Sequence, residues 1–439
     1  MALDCVERLS PAAERLALGP ATRRRAITAC LAGNLFEIFD FGVYGYFAVQ
    51  IGRAVFPSAD PIASVLASFA TYGVGFLMRP VGAMVIGSYG DRHGRKAALA
   101  LTITLMAIAT GLTGLVPTYA QAGLWAPVLL LVFRLVQGFS TGGEWGGATT
   151  FLVEHAPAGR RGFYGSLQQV STGLAQILSI SSALLLNTIL SADDLQAWGW
   201  RLPFLLGFVL APIGYYLRAR VEESPEFAAV SNQKRTAPAP LRSALTVHRG
   251  AVLTCFGLTM IWTVSGYVFI TFMPTFAVHT LGMAPANALA GTICAVLVNL
   301  AVIPWAGLAY DRWGGRGLLM ASAAGFALLS APLFASLAHA QNLTALALVA
   351  VVAGVLYGLY NGAAPALLCT LFPTAVRYTA LSVGYNGAVM VFGGFAPFIS
   401  TVLVRETGLA IAPSFYVALC AAVSLGVLAW PRGRGAFVH

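Results

Sequence analysis

Charge is scarce in this sequence. Only 10% of its 439 residues are Asp, Glu, Lys or Arg, against about a quarter in a soluble globular domain. Hydrophobic residues make up 58% and the mean hydropathy is +0.77, so most of the chain is not built to meet water. Alternating stretches of about ten residues, the mark of a membrane β-barrel, are absent. A cleavable leader is not expected either, because the basic N-terminal stretch runs into an apolar segment of full spanning length without a small-residue cleavage site at the right distance. Cys5, Cys30, Cys255, Cys294, Cys369 and Cys420 are scattered, mostly inside apolar stretches. They show neither metal-ligand spacing nor a disulfide framework and read as small apolar filler. No convergent nucleophile, base or metal set is visible and no output domain is present, which argues against an enzyme and against a receptor. The formal charge of +10 has no soluble basic face to occupy, so nucleic acid is not an expected partner. No cofactor is implied.

What the chain does have is apolar stretches of about twenty residues, the length that crosses a bilayer core of about 30 Å. They open near Ala26, Ser64, Ala97, Ala126, Phe163, Leu202, Ala251, Ala286, Gly317, Ala345, Leu381 and Ser414. The expected fold class is an all-α polytopic membrane protein of 12 transmembrane helices. Lys and Arg cluster before the first span, in alternate loops and after the last span, as at Arg23–Arg25, Arg92, Arg95, Lys96, Arg160, Arg161, Arg312, Arg316, Arg432 and Arg434. The opposite loops hold only Arg53, Arg201 and Arg405. Positive charge stays inside, so both termini are expected in the cytoplasm. Trp198, Trp200 and Tyr119 read as interfacial anchors.

Two motifs recur half a chain apart. Gly87-Ser88-Tyr89-Gly90-Asp91-Arg92-His93-Gly94-Arg95-Lys96 follows the second span, and Gly307-Leu308-Ala309-Tyr310-Asp311-Arg312-Trp313-Gly314-Gly315-Arg316 follows the eighth. A second pair is Arg160-Arg161-Gly162-Phe163 before the fifth span and Val376-Arg377-Tyr378-Thr379 before the eleventh. Such a period implies a parallel duplication, six helices plus six, with a cavity between the halves near the midplane. The expected organisation is a cytoplasmic N-terminus at 1–25, a six-helix half at 26–219, a polar cytoplasmic linker at 220–250, a second half at 251–430 and a cytoplasmic C-terminus at 431–439. The linker is too short for a catalytic domain.

The Gly-x-x-x-Asp-Arg-x-Gly-Arg-Lys pattern at Gly87 to Lys96, with its echo at Asp311, resembles the major facilitator superfamily. Further stretches are similar to its metabolite:proton symporter branch: Phe39-Asp40-Phe41, Met78-Arg79-Pro80-Val81-Gly82, Arg134-Leu135-Val136-Gln137-Gly138, Gly142-Gly143-Glu144-Trp145-Gly146-Gly147, Phe372-Pro373-Thr374 with Arg377-Tyr378-Thr379, and Phe392-Gly393-Gly394. The resemblance spans Gly33 to Leu428. It implies a proton-coupled symporter in the bacterial inner membrane, working by alternating access, with a small molecule and protons as partners, and the chain is expected to work as a monomer. The branch includes symporters for citrate, α-ketoglutarate, shikimate and proline or betaine.

For the loop motifs the resemblance suggests gating, by Gly87, Asp91, Arg92, Arg95, Asp311, Arg312 and Arg377. Asp91 is suited to the positive N-terminus of a helix, here the eleventh span, in a contact formed only when the cytoplasmic side is closed. Gly315 stands at the place of Arg95 in the second motif, so a weaker latch is expected there. The alternative is a basic turn that serves charge topology alone.

Ionisable residues inside spans are costly and functional by default. Glu37 and Asp40 on the first span and Glu144 on the fourth are candidate proton-coupling groups. Arg134, Arg79, Gln137 and Gln169 are candidate substrate contacts. Arg134, Gln137, Thr141 and Glu144 share one helix face at spacings of 3, 4 and 3. The alternative is that these charges pair only to hold the bundle together, Arg79 with Glu144 above all. The second half is poor in intramembrane charge; its candidates are Tyr357, Tyr360 and Asn361 on the tenth span, at i, i+3, i+4 spacing. Pro365 and the glycines Gly354, Gly358 and Gly362 give that span room to bend. The substrate class expected first is di- and tricarboxylates such as citrate, with Tyr360-Asn361-Gly362-Ala363 resembling the citrate-type members. A zwitterionic osmolyte is second and drug export third.

Overall fold

A computed structural model describes residues 20–59, 61–206, 208, 223, 227 and 239–430. Every regular element among them is helical. We label the long helices α1 (Pro20–Tyr46), α2 (Pro61–His93), α3 (Arg95–Gly114), α4 (Trp125–Glu154), α5 (Arg161–Ile189), α6 (Arg249–Gly266), α7 (Pro285–Trp313), α8 (Gly315–Ala340), α9 (Leu343–Thr370), α10 (Arg377–Ala388) and α11 (Ala412–Ala429). Among the described residues 10 helices are long and apolar enough to cross a membrane. The 33 residues of α2 lie over the expected second span. The sixth span, expected from Leu202, falls mostly outside the described residues, as do most of the N-terminus, the linker and the C-terminus. Where the edges are described they differ from expectation. The first helix already begins at Pro20, and the linker's last residues form a short helix, Pro240–Thr246, before α6 starts at Arg249.

The bundle shows its apolar side chains outward and much of its polar content inward. Leu184, Leu185, Leu253, Trp305, Leu328 and Leu419 are all more than half exposed. Asn34, Glu37, Asp40, Arg134, Gln137 and Gln168 are buried. That inversion is expected where the surrounding solvent is lipid, which solvates apolar surface and leaves polar groups to be satisfied inside.

The duplication appears as a repeated packing pattern. Within the first half α2 packs on α4, and within the second α7 packs on α9. Across the halves α2 packs on α10 and α5 on α7. Glycines set these approaches. A Cβ at Gly138 would overlap the Gly75 carbonyl, one at Gly142 the Arg79 carbonyl, and one at Gly362 the Ile303 carbonyl. Backbones meeting this closely gain dispersion contacts that larger side chains would prevent, the usual basis of helix association in lipid.

Two helices are interrupted by wider π-helical turns. In α6 these are Tyr267–Phe272 and Phe276–Thr280, and in the continuation of α10 the turn is Val389–Gly393, leading on to Ala396–Thr407. The tenth span, α9, runs unbroken through Pro365 to Thr370. The irregular backbone therefore lies in α6 and α10, where such turns often mark functional segments.

The packing predicts a contrast between two glycine substitutions. Gly142→Val should destabilise the detergent-solubilised protein by about 1–3 kcal/mol through overpacking. Gly426→Val, where a Cβ meets open space, should leave the thermal midpoint unchanged. Equal midpoints for the two variants would contradict the α2–α4 contact.

Candidate functional site

The two halves are joined at the end that bears the loop motifs. Asp91, at the end of α2, is fully buried and sits at the N-terminus of α10. Its carboxylate accepts hydrogen bonds from the Thr379 backbone N–H at 2.8 Å, the Thr379 hydroxyl at 2.7 Å and the Tyr378 N–H at 3.3 Å. A carboxylate at that position gains from the unpaired N–H groups and the helix dipole together. Arg95 completes the joint: it pairs with Asp91 at 2.8 Å and donates to the Thr374 carbonyl at 2.7 Å. Glu154 at the end of α4 lies 3.4 Å from Arg95 and 2.9 Å from Arg377. The chain Asp91–Arg95–Glu154–Arg377 thus crosses from one half to the other with its charges alternating. Gly87 belongs to the same contact, because a Cβ there would press on the Thr379 backbone at 2.9 Å. Arg92 is exposed and takes no part in it.

The other motif forms the mirror contact. Asp311 accepts from the backbone N–H groups of Gly162 at 2.6 Å and Phe163 at 2.9 Å, at the N-terminus of α5. Arg312 is exposed and lies over the neighbouring Trp313 ring. Each half therefore places one carboxylate on a helix N-terminus of the other.

Below the first latch α4 and α10 are zipped together. The Tyr378 hydroxyl donates to the Gly143 carbonyl and the Asn386 amide to the Gly142 carbonyl, both at 2.8 Å. Trp145 stacks on Tyr385 with ring centroids 3.6 Å apart. From Arg377 to Asn386 the seal runs about 14 Å along the helix.

Deeper in the first half, α1, α3 and α4 enclose a cavity lined by Glu37, Asp40 and Glu144, with Thr102, Thr110 and Ser140. The three carboxylates expected as proton-coupling groups are thus brought to one place, each no more than 4% exposed. Thr102 donates to Glu144. Gln137 donates to Asp40 at 2.9 Å and to Thr110 at 3.0 Å. Arg134 lies 3.5 Å from Asp40 and over the Tyr44 ring at 3.9 Å. Arg134 and Gln137, expected to reach a substrate, are turned to the first half's own carboxylate.

Arg79 stands apart. It is 8% exposed, and its guanidinium lies over the rings of Phe76 at 4.3 Å and Phe41 at 5.0 Å. Among the described residues it makes neither hydrogen bond nor ion pair, so its pairing with Glu144 does not occur. It is about 18 Å along α2 from Asp91. Across the seam, Tyr267 of the second half meets Phe76 edge-on at 6.2 Å. Among the described residues Arg79 is thus a buried cation without an anion, at the seam between the halves.

Candidates in the second half and on α5 are committed to their neighbours. The Tyr360 hydroxyl donates to the Leu258 carbonyl at 2.6 Å. Asn361 accepts from Trp262 and donates to Asn299 at 3.0 Å. Tyr357 lies against α6 with its hydroxyl beside Gly266. Gln169 donates to Gln168, which is bonded to Asn34 of α1.

The arrangement, two helical halves clasped at one end around buried charge, is that of a known architecture. The family model "Sugar (and other) transporter" matches residues 25–244 and 239–430. The citrate-proton symporter of Klebsiella pneumoniae is 36% identical over 411 residues, covering 93% of this chain and 92% of that protein. The chain belongs to the major facilitator superfamily. A proline/betaine transporter of Salmonella typhimurium is 35% identical over 412 residues, 92% of this chain and 82% of that protein. Among solved structures, the proton:xylose symporter XylE shares the fold at a TM-score of 0.78 and 17% identity, covering 94% of this chain and 95% of that one. The protein is a multi-pass membrane transporter and not an enzyme.

Sequence reasoning gave no role to Glu154, to Thr379 or to the Trp145–Tyr385 stack. Glu154 carried a signal as an acid at the end of a span, and Thr379 and Trp145 lay within quoted motifs, but spacing did not say what they would contact. The transporter's latch makes a prediction. In a cysteine-free background carrying Ser382→Cys, Asp91→Asn should raise the rate of alkylation at residue 382 severalfold by loosening α10 from α2 and α4. Unchanged labelling would count against the latch.

Proposed function

We propose that this transporter is a proton-coupled symporter that imports a small organic acid by alternating access, with di- and tricarboxylates such as citrate the first class to test. The observation that carries the reading is Arg79. A buried guanidinium without an anion is costly, and its planar fork fits a carboxylate with two parallel hydrogen bonds. Citrate, proline and betaine all carry that group, so the two kinds of named relative agree on the part of the substrate that Arg79 would hold. Tyr267 and Tyr385, with Phe76 and Trp145, would shape the rest of the site. Glu37, Asp40 and Glu144 are the proposed proton site, in the cavity beside it, and the motif end is proposed to face the cytoplasm, with both termini there.

A zwitterionic substrate is the second reading, and the aromatic surroundings favour it. One guanidinium balances one carboxylate, and ring faces attract an ammonium group. Drug export is the weakest reading, since a drug pocket has no use for an unpaired buried cation.

Uptake into reconstituted vesicles tests the assignment, with radiolabelled citrate, α-ketoglutarate, shikimate, proline and betaine, with and without an inward proton gradient. At least one carboxylate should accumulate only with the gradient. Accumulation of none, or equal uptake without it, would refute the proposal. Glu37→Gln or Asp40→Asn should abolish accumulation by the proton carrier while leaving exchange across the membrane partly intact. If both variants still accumulate substrate, the proton site is not at this pair.

A further inference from the structure

The proposed proton site and the proposed substrate anchor lie in different places. Glu37, Asp40 and Glu144 line a cavity within the first half, while Arg79 stands at the seam. Symport requires that binding at one change affinity at the other by the same factor in both directions. Something must lie between them, and one side chain does. The guanidinium of Arg79 lies over the Phe41 ring at 5.0 Å and that of Arg134 over the same ring at 5.9 Å. Arg134 is the partner of Asp40, the residue next to Phe41 in the chain.

We propose that Phe41 couples proton binding to substrate binding, because its ring is shared by a guanidinium paired with Asp40 and a guanidinium that has no anion of its own. The proposal rests on Arg79 as the carboxylate anchor. The ring is held in place, 6% exposed, with Tyr72 edge-on at 5.9 Å and Phe76 edge-on at 6.1 Å. The negative face of an aromatic ring attracts a cation, and more strongly where water is excluded. Two cations over one ring share its attraction and repel each other.

The sign of the coupling follows. When Asp40 is ionised it holds Arg134, and the ring is left to Arg79. When Asp40 takes a proton, Arg134 loses its anion and draws more on the rings of Phe41 and Tyr44. Arg79 is then less well held and gains more from a substrate carboxylate. Conversely, a carboxylate bound at Arg79 neutralises that cation and leaves the ring to Arg134, which makes protonation of Asp40 easier. Proton and acid therefore favour each other's binding. The other ionisable groups around Asp40 are Glu37 and Tyr44 on α1, Tyr72 on α2, and Arg134 and Glu144 on α4, with Tyr267 beyond them against Phe76. Among the described residues the guanidinium groups of Arg134 and Arg79 both lie over Phe41.

Stepwise fluorination of the Phe41 ring in the full chain weakens the charge on its face with little change in shape. The quantity to measure is apparent affinity for citrate and for proline at pH 6 and pH 8 in vesicles. Each substrate's own titration is common to all variants. For the substrate that is transported, the unmodified protein should bind at least about fivefold more tightly at the lower pH. That factor should shrink with each added fluorine and disappear in Phe41→Leu. A pH linkage that survives full fluorination would overturn the proposal even if Phe41→Leu fails to fold, and so would the lack of any linkage in the unmodified protein. Citrate trimethyl ester and proline methyl ester separate the two readings. If the ester competes as well as its acid, Arg79 is not the anchor and the site assignment has failed. If the ester does not compete and the linkage survives fluorination, the role of Phe41 alone is wrong.

Discussion

A charge placed where water is excluded must find a counter-charge or a set of hydrogen-bond donors, and the interior of this protein is arranged around that demand. Asp91 finds the N-terminus of α10 and Arg95, Asp311 the N-terminus of α5, Glu154 two arginines, and Asp40 Arg134 and Gln137. Each of these partnerships fixes the relation of two helices, and those of Asp91, Asp311 and Glu154 fix the relation of two halves. Breaking a buried pair costs about 3–5 kcal/mol when one partner is left behind, so such contacts act as switches with two states and resist partial opening. Among the described residues Arg79 is the exception, and the proposed substrate carboxylate would supply its missing partner.

The clasp at the motif end is proposed to release as a unit. The carboxylate contacts close the rim, and the Tyr378, Asn386 and Tyr385 contacts with α4 extend the closure inward. All three residues lie on α10, directly ahead of the π-helical turn at Val389–Gly393. Tyr267, just after α6, opens a similar turn on the same side of the seam. A helix with one wide turn can pivot there without losing the hydrogen bonds of its two straight parts, which suits a gate that must move while the rest of the half stays packed.

Much of this was legible in the sequence. The spans and the duplication followed from hydropathy and motif spacing, and the family resemblance pointed Asp91 to the start of the eleventh span. Each of the three acids was legible as a costly intramembrane charge, with Glu37 and Asp40 on one face, but that Glu144 shares their cavity was not. What spacing did not reveal is which neighbour a face meets. Arg134, Gln137 and Glu144 lie along one face of α4, yet the first two turn to α1 and the third to Thr102 of α3. Tyr357, Tyr360 and Asn361 form a stripe, yet Tyr360 is bound to the α6 backbone and Asn361 to Trp262 and Asn299. Helix rotation is set by side-chain packing and by close glycine contacts such as Gly142 on Arg79, and these are long-range. For that reason Arg79, given no more weight than Arg134 in the sequence, became distinct only once its surroundings were known.

The central claim is that Arg79 is unpaired in order to take a substrate carboxylate. Equilibrium binding of the transported acid to Arg79→Gln protein, solubilised and shown to be folded, tests it most directly. The account predicts an affinity loss of at least about tenfold, the cost of removing a charged partner from a buried hydrogen bond. An unchanged dissociation constant in Arg79→Gln would contradict it.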